Sequence, residues 1–307
     1  MNVYMAAVYT NGYMKDQRRY EKLNESERKS VMSVPHLLES FHYINKQAII
    51  DVMRSHGAKV FLDSGAFSAW NAGVVIDIDA YCDYIKANHD LWLVDDTGAL
   101  MCSVLDGIGD PLKTYQNQKY MERQGVRPLP CFHFGEDIRY LEEYVNNYTY
   151  ITIGGMVGKS AKQLINWLDG IWDKGLLDGS GNLRTKVHAF GITSQDIMKR
   201  YPWSSCDSSS WIQAAAFGNI ITRDWGILCI SDKSARKHVA NAHINTFSPP
   251  ETQAVARYVE SHGFNLERLA SVYESRATFN LTTFNDINVW INEHESGIND
   301  GIKLELF

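Results

Sequence analysis

Three aspartates close apolar runs and are followed at once by small residues: Asp63 in FLDSGAF, Asp106 in CSVLDGIGDP and Asp207 in SSCDSSSW. An ionisable group in that position either caps the helix that follows or belongs to a site, and for one aspartate alone the two readings balance. Three together point to a site. Paired carboxylates suit glycosidic chemistry, in which one attacks the anomeric carbon and another moves a proton to and from the leaving group. A metal centre fits less well, because only His133 and His188 fall on apolar runs and barrel metallohydrolases usually draw on several histidines. A lone strand histidine is more often a hydrogen-bonded core residue. Cys206, beside Asp207, is a rival nucleophile, but no histidine base stands near it in sequence, so it reads as a buried thiol. No metal and no cofactor is expected.

Strands must carry these residues if they are to converge. Eight short apolar runs read as strands: 3–9, 59–62, 102–105, 128–134, 150–153, 186–190, 203–206 and 226–230. Helical patterns lie between them. The spacing predicts a helix over 35–56, with Leu37, Leu38, Phe41, Ile44, Ile49, Val52 and Met53 on its apolar face and Gly57 as its stop. Asp110 with Pro111 opens a helix running to Gly125, and Ser160 with Gln163 and Ser248 with Glu251 have capping-box spacing. Alternating strands and helices predict a parallel sheet, either a (β/α)8 TIM barrel or an open doubly wound sheet. The barrel is the leading expectation, as a single domain over 1–307 with residues from about 248 to 307 as extra C-terminal helices.

In a barrel, chemistry sits at the carboxyl ends of the strands. Besides the aspartates, those ends carry Ser64, Gly65, His133, Gly154, Gly155 and Gly191 as candidate binding residues, the glycines leaving room for a flat ligand. Phe67, Phe132, Phe134 and Phe190 are aromatic residues able to stack on a base, with Phe67 and Phe190 the chosen pair.

A net charge of −6 argues against a surface coated in positive potential for nonspecific grip on nucleic acid. Local clusters remain: Lys233, Arg236 and Lys237, followed by His238, are candidate phosphate contacts, and Arg18, Arg19 and Lys22 form a second patch. A solvated helix face is the plainer reading of such a run. Five cysteines without a CxxC pair suggest reduced thiols rather than a disulfide framework or zinc ribbon. The N-terminus does not read as a signal peptide, and no run approaches the ~18 apolar residues of a membrane helix. A cytoplasmic protein is expected, in the host cytoplasm if virus-encoded.

The motifs LDSGAF (62–67), VLDGIGDP (104–111), IGGMVG (153–158), FGIT (190–193) and CDSSSW (206–211), in this order, resemble the tRNA-guanine transglycosylase superfamily. The chain is most similar to its phage and bacterial DpdA-type members, which insert 7-deazaguanine bases into DNA. The resemblance spans about 150 residues. It implies Asp207 as the nucleophile that forms a covalent glycosyl-enzyme intermediate and Asp63, within the Asp63-Ser64-Gly65 motif, as general acid and base. It implies Asp106 as the reader of the base edge, and a base pocket lined by Gly154, Gly155 and Met156. The implied reaction exchanges guanine in DNA for a free 7-deazaguanine such as preQ0, with tRNA as the alternative polymer and a silent nucleic-acid-binding subunit as another reading. A helper protein or a homodimer is a further implied partner.

Departures from the family occur at Ala66, Ser68 and Phe134, where its motifs carry Gly, Gln and Gln. The family's C-terminal zinc-binding subdomain is missing, since Cys229 is the sole cysteine after Asp207, which favours the DNA-acting branch.

Overall fold

Most of the apolar runs become strands, and seven strands join one parallel sheet. The computed structural model describes residues 1–192 and 194–294. The strands are β1 Asn2–Ala6, β2 Leu37–Ser40, β3 Phe61–Asp63, β4 Cys131–His133, β5 Tyr150–Gly154, β6 Lys186–Ala189 and β7 Ser205–Ser208. Their order across the curled sheet is β3-β2-β1-β7-β6-β5-β4. Adjacent carboxyl ends are aligned by register: Ser40 pairs with Asp63, and His133 with Gly154.

Residues 102–105, expected as a strand, make isolated parallel bridges instead, Leu62 with Cys102 and Ser103 with Leu129. On one side the Ser103 N–H donates to Leu62 O (2.8 Å); on the other the Val104 N–H donates to Leu129 O (3.0 Å). This segment carries Asp106 just beyond it. Tyr4, Ala6, Leu38, Phe61, Met101, Leu129 and Tyr150 then pack into one apolar cluster, with Phe190 against it.

The helix expected over 35–56 is corrected. Leu37–Ser40 is strand β2, and the helical residues are Phe41–Ile44 and Gln47–Ser55. A run as short as Leu37-Leu38 has no period that separates a buried strand from a helix turn. Tertiary partners decide it: the Glu39 carboxylate is fully buried and accepts from the Tyr9 N–H (2.6 Å) and the Thr10 hydroxyl (2.7 Å).

A second correction concerns 226–230. Gly226–Cys229 is β9, paired antiparallel with β8, Asn219–Thr222, in a separate two-stranded sheet. The three residues between Thr222 and Gly226 leave no length for a crossover helix, so only a hairpin can form. The run expected at 203–206 lies two residues later as β7, which puts Asp207 inside the strand.

The caps fall where the sequence puts them. Asp110 accepts from the Lys113 N–H with Pro111 in the first turn of Pro111–Arg123, and Ser160 and Ser248 each donate to the carbonyl or carboxylate oxygen three residues on. The C-terminal helices are Pro249–Ser261, Leu266–Ser271 and Tyr273–His294; the rest of the span expected as helix, 295–307, lies outside the described residues.

Two compact units divide the chain. Among the described residues, Tyr4–Gly12 with His36–Ser208 forms the sheet-bearing unit, and Met1–Val3, Tyr13–Pro35 and residues 209–294 form the other. The second unit has its own core of Ile220, Ile230, Val255, Val259, Leu269 and Phe279. Its long helix is tied to the hairpin by Asn280, which accepts from the Ile221 N–H (2.7 Å), and to helix Ser210–Ala216 by the same side chain, which donates to Trp211 O (2.9 Å).

Candidate active site

The three aspartates belong to the sheet-bearing unit, at or just beyond the carboxyl ends of parallel-paired segments. Asp63 ends β3. Its Oδ2 accepts from the Gly65 N–H (2.9 Å) and its Oδ1 from the Ser103 hydroxyl (3.3 Å), while the Ser103 oxygen accepts from the Ser64 N–H (2.8 Å). Burial, and then the charges of Asp106 and Asp207, push the Asp63 carboxyl up to about 7. Two neighbouring carboxylates acting on a third give these residues one shared electrostatic environment.

Gly65 is the first residue after that carboxylate that tolerates no side chain. Its φ is +76°, and a Cβ there would overlap the Ser40 hydroxyl and come within 2.6 Å of the His42 Cβ. The room that a side chain would need at Gly65 is therefore taken by Ser40 and His42. Ser64 is also enclosed, wholly buried with its hydroxyl oxygen accepting from the Ala66 N–H (3.4 Å).

Asp207 is held on β7. Its Oδ1 accepts from the Gly191 N–H (2.8 Å) and lies 3.4 Å from Nε2 of His188. His188 is fully buried, its Nδ1 2.6 Å from the Ser205 hydroxyl, and burial keeps its pKa below the ordinary value despite the Asp207 carboxylate. Sequence reasoning placed His188 on a strand without a partner. Its alignment with Asp207 comes from parallel pairing, in which His188 lies opposite Ser205 and Ala189 opposite Cys206.

Asp106 and His133 meet, with Asp106 Oδ2 3.3 Å from His133 Nε2. On its other side His133 Nδ1 lies 2.8 Å from Glu136 Oε1, and the His133 N–H donates to Glu136 Oε2 (3.0 Å). Burial alone would lower the His133 pKa; negative charge on the adjacent Cys131 sulfur and on the Asp106 carboxylate acts the other way and raises it. Burial, with Asp106 next, pushes the Cys131 thiol up to about 11. Asp106, Cys131 and His133 bring ligand-type atoms within 4.8 Å of one another, the group of residues here best suited to holding a metal ion. Glu136 was missed from sequence although it lies three residues after His133; Cys131 and His133 were readable as same-face neighbours from the two-residue period of a strand.

Other expected positions divide. Gly154 is buried beside Cys131 and His133, Gly155 is exposed, and Met156 is buried. Phe190 packs on His188 with ring centroids 4.7 Å apart. Phe67 is half exposed and stacks on Trp70 (6.3 Å, 27°). Phe132 and Phe134 both pack on Trp167, the ring that covers them from helix Ala161–Ile171. Thr193, the end of FGIT, lies outside the described residues.

Lys233, Arg236 and Lys237 fall in the other unit, on turns rather than the face of a helix. Lys237 faces Asp232 (3.4 Å). In the second patch, Lys22 pairs with Glu274 (2.9 Å) and the Arg19 guanidinium sits over the rings of Tyr13 and Tyr273, so both cations have partners within their own unit. No protein-family model matches the chain, and no curated protein matches it at a significant level.

Proposed function

We propose that the protein is a base-exchange glycosyltransferase that replaces guanine in DNA with a 7-deazaguanine base. We further propose that its parallel sheet is a (β/α)8 barrel, a closure supported by the parallel bridges that residues 102 and 103 make to either side. The observation that carries the reaction is the convergence of three carboxylates from distant segments: Asp63, bonded to Gly65 and Ser103, is raised to about 7 by burial and by the charges of Asp106 and Asp207, so that at neutral pH it can both give and take a proton.

Asp207 is the nucleophile. The Gly191 N–H and His188 both contact Oδ1, which leaves Oδ2 for the sugar. Its attack forms the C1′–O bond as the C1′–N9 bond breaks; that electron pair goes to guanine, which takes the proton of Asp63. The incoming base then attacks C1′ through N9, releases the Asp207 carboxylate and returns its N9 proton to Asp63. Two displacements retain the configuration at C1′. Asp106 reads the base edge.

Labelled guanine or a deazapurine, incubated separately with DNA and with tRNA, tests this reading. Incorporation into DNA is expected, with a loss of about 10³-fold or more and no covalent adduct for Asp207→Asn. Incorporation into tRNA alone assigns the other polymer. Full exchange by Asp207→Ala, or none on either polymer by the unaltered protein, overturns the proposal.

A further inference from the structure

We propose that Asp106, Cys131 and His133 form a binding site for a divalent cation of the zinc class, with Glu136 as the residue that orients His133. The site stands on its own geometry and does not depend on the transglycosylase reading, since a cation held by Asp106 is an alternative to a base-reading role for that carboxylate.

Cys131 and His133 are two residues apart on β4, so their side chains leave the same face of the sheet. Asp106 comes to that face from the segment paired with residue 129. His133 Nε2 and Asp106 Oδ2 are 3.3 Å apart. Two ligands each about 2.0–2.1 Å from a tetrahedral zinc lie roughly 3.4 Å apart, so this pair already has the separation a shared ion requires. Cys131 Sγ completes a trio of ligand atoms within 4.8 Å of one another.

Three independent features support a ligand role. Glu136 grips His133 at both Nδ1 (2.8 Å) and the backbone N–H (3.0 Å), which leaves Nε2 to face Asp106 and Cys131. A carboxylate on the far nitrogen is the usual outer partner of a metal-bound histidine, because it fixes the ring and makes it a stronger donor. Gly154, the register partner of His133 on β5, supplies space: a Cβ there would come within 3.1 Å of both Cys131 Sγ and His133 Cδ2. Asp106 Oδ1 is buried with no hydrogen-bond partner among the described residues, a costly state for a carboxylate oxygen.

The mixture of thiolate, imidazole and carboxylate selects zinc-like ions over magnesium or calcium, which take oxygen ligands. Three protein ligands leave a coordination position for water or for a substrate oxygen or nitrogen. Binding exchanges the cation for the protons on Cys131 Sγ and His133 Nε2, which pass to solvent. Without an ion the same residues form a chain of hydrogen bonds, Glu136 to His133 to Asp106, and that is the arrangement the experiment must distinguish.

The full chain is treated with chelator, dialysed and titrated with Co²⁺. One equivalent is expected to give the visible bands of a four-coordinate site and a thiolate-to-cobalt charge-transfer band, both removed by one equivalent of Zn²⁺. Cys131→Ser should lose the charge-transfer band while keeping its circular dichroism. Glu136→Gln should bind about 10- to 100-fold more weakly. A folded, unaltered protein that gives no cobalt spectrum overturns the site, as does a charge-transfer band that survives both Cys131→Ser and His133→Ala.

Discussion

At the scale of single residues, Asp63 is the group whose chemistry depends most on where the chain puts it. An exposed aspartate is ionised at neutral pH, whereas burial and two nearby carboxylates hold this one near 7. The sign for stability follows from proton binding. Between about 4 and 7 the folded chain keeps a proton on Asp63 that the unfolded chain has lost, so this group makes stability fall as pH rises through that window. Asp63→Asn, with no proton to lose, is expected to flatten that part of the stability profile, measured by denaturant unfolding of chelator-treated protein. In the proposed reaction the same variant should also lose the alkaline limb near pH 7 in kcat/KM. An unchanged unfolding profile would mean that the carboxyl titrates as an ordinary aspartate.

At the scale of elements, the junction of β2 and β3 controls how Asp63 is presented. Ser40 and Asp63 are register partners, and the chain turns immediately afterwards through Gly65 into helix Ala66–Asn71. The left-handed conformation of Gly65 costs any other residue about 1–2 kcal/mol, and contact with the Ser40 and His42 side chains adds an overpacking term of similar size. Gly65→Ala is therefore expected to destabilise the protein by roughly 2 kcal/mol or more, read as a fall in Tm of several degrees. It should also weaken the hydrogen bond from the Gly65 N–H to Asp63 Oδ2. A cost below about 0.5 kcal/mol would show that β2 yields at this point, contrary to the packing.

At the scale of the whole molecule, a net charge of −6 opposes approach to a polyanion. The nucleic-acid binding proposed for this chain must then rest on local cations, and Lys233 and Arg236 are exposed ones, with Lys237 partly occupied by Asp232. Affinity for single-stranded DNA should fall as salt rises. The triple substitution Lys233→Ala, Arg236→Ala, Lys237→Ala should make the slope of log affinity against log salt shallower by about 1 to 2, since each phosphate contact contributes roughly 0.7. An unchanged slope removes the cluster from the interface. Among the described residues no helix is long and apolar enough to cross a membrane.

The sequence by itself determined what is local. Caps at Asp110 and Ser160 are read from side chains a few residues apart, and the aspartates stand out because a charge ending an apolar run is visible without knowing the fold. Tertiary structure decided whatever depends on partners distant in the chain. Leu37–Ser40 is a strand because β1 and β3 flank it, and four residues have no period of their own to say so. The run at 226–229 left the parallel sheet because its short connection made it pair with 219–222. His188 reaches Asp207, and Cys131 and His133 reach Asp106, across neighbouring segments whose alignment no composition encodes. Gly65 marks the same boundary: its place after Asp63 was plain from the sequence, but only the fold showed that the room it leaves is filled by Ser40 and His42. Pairing register and side-chain packing are long-range properties, set by the free energy of the assembled sheet rather than by the residues of any one segment.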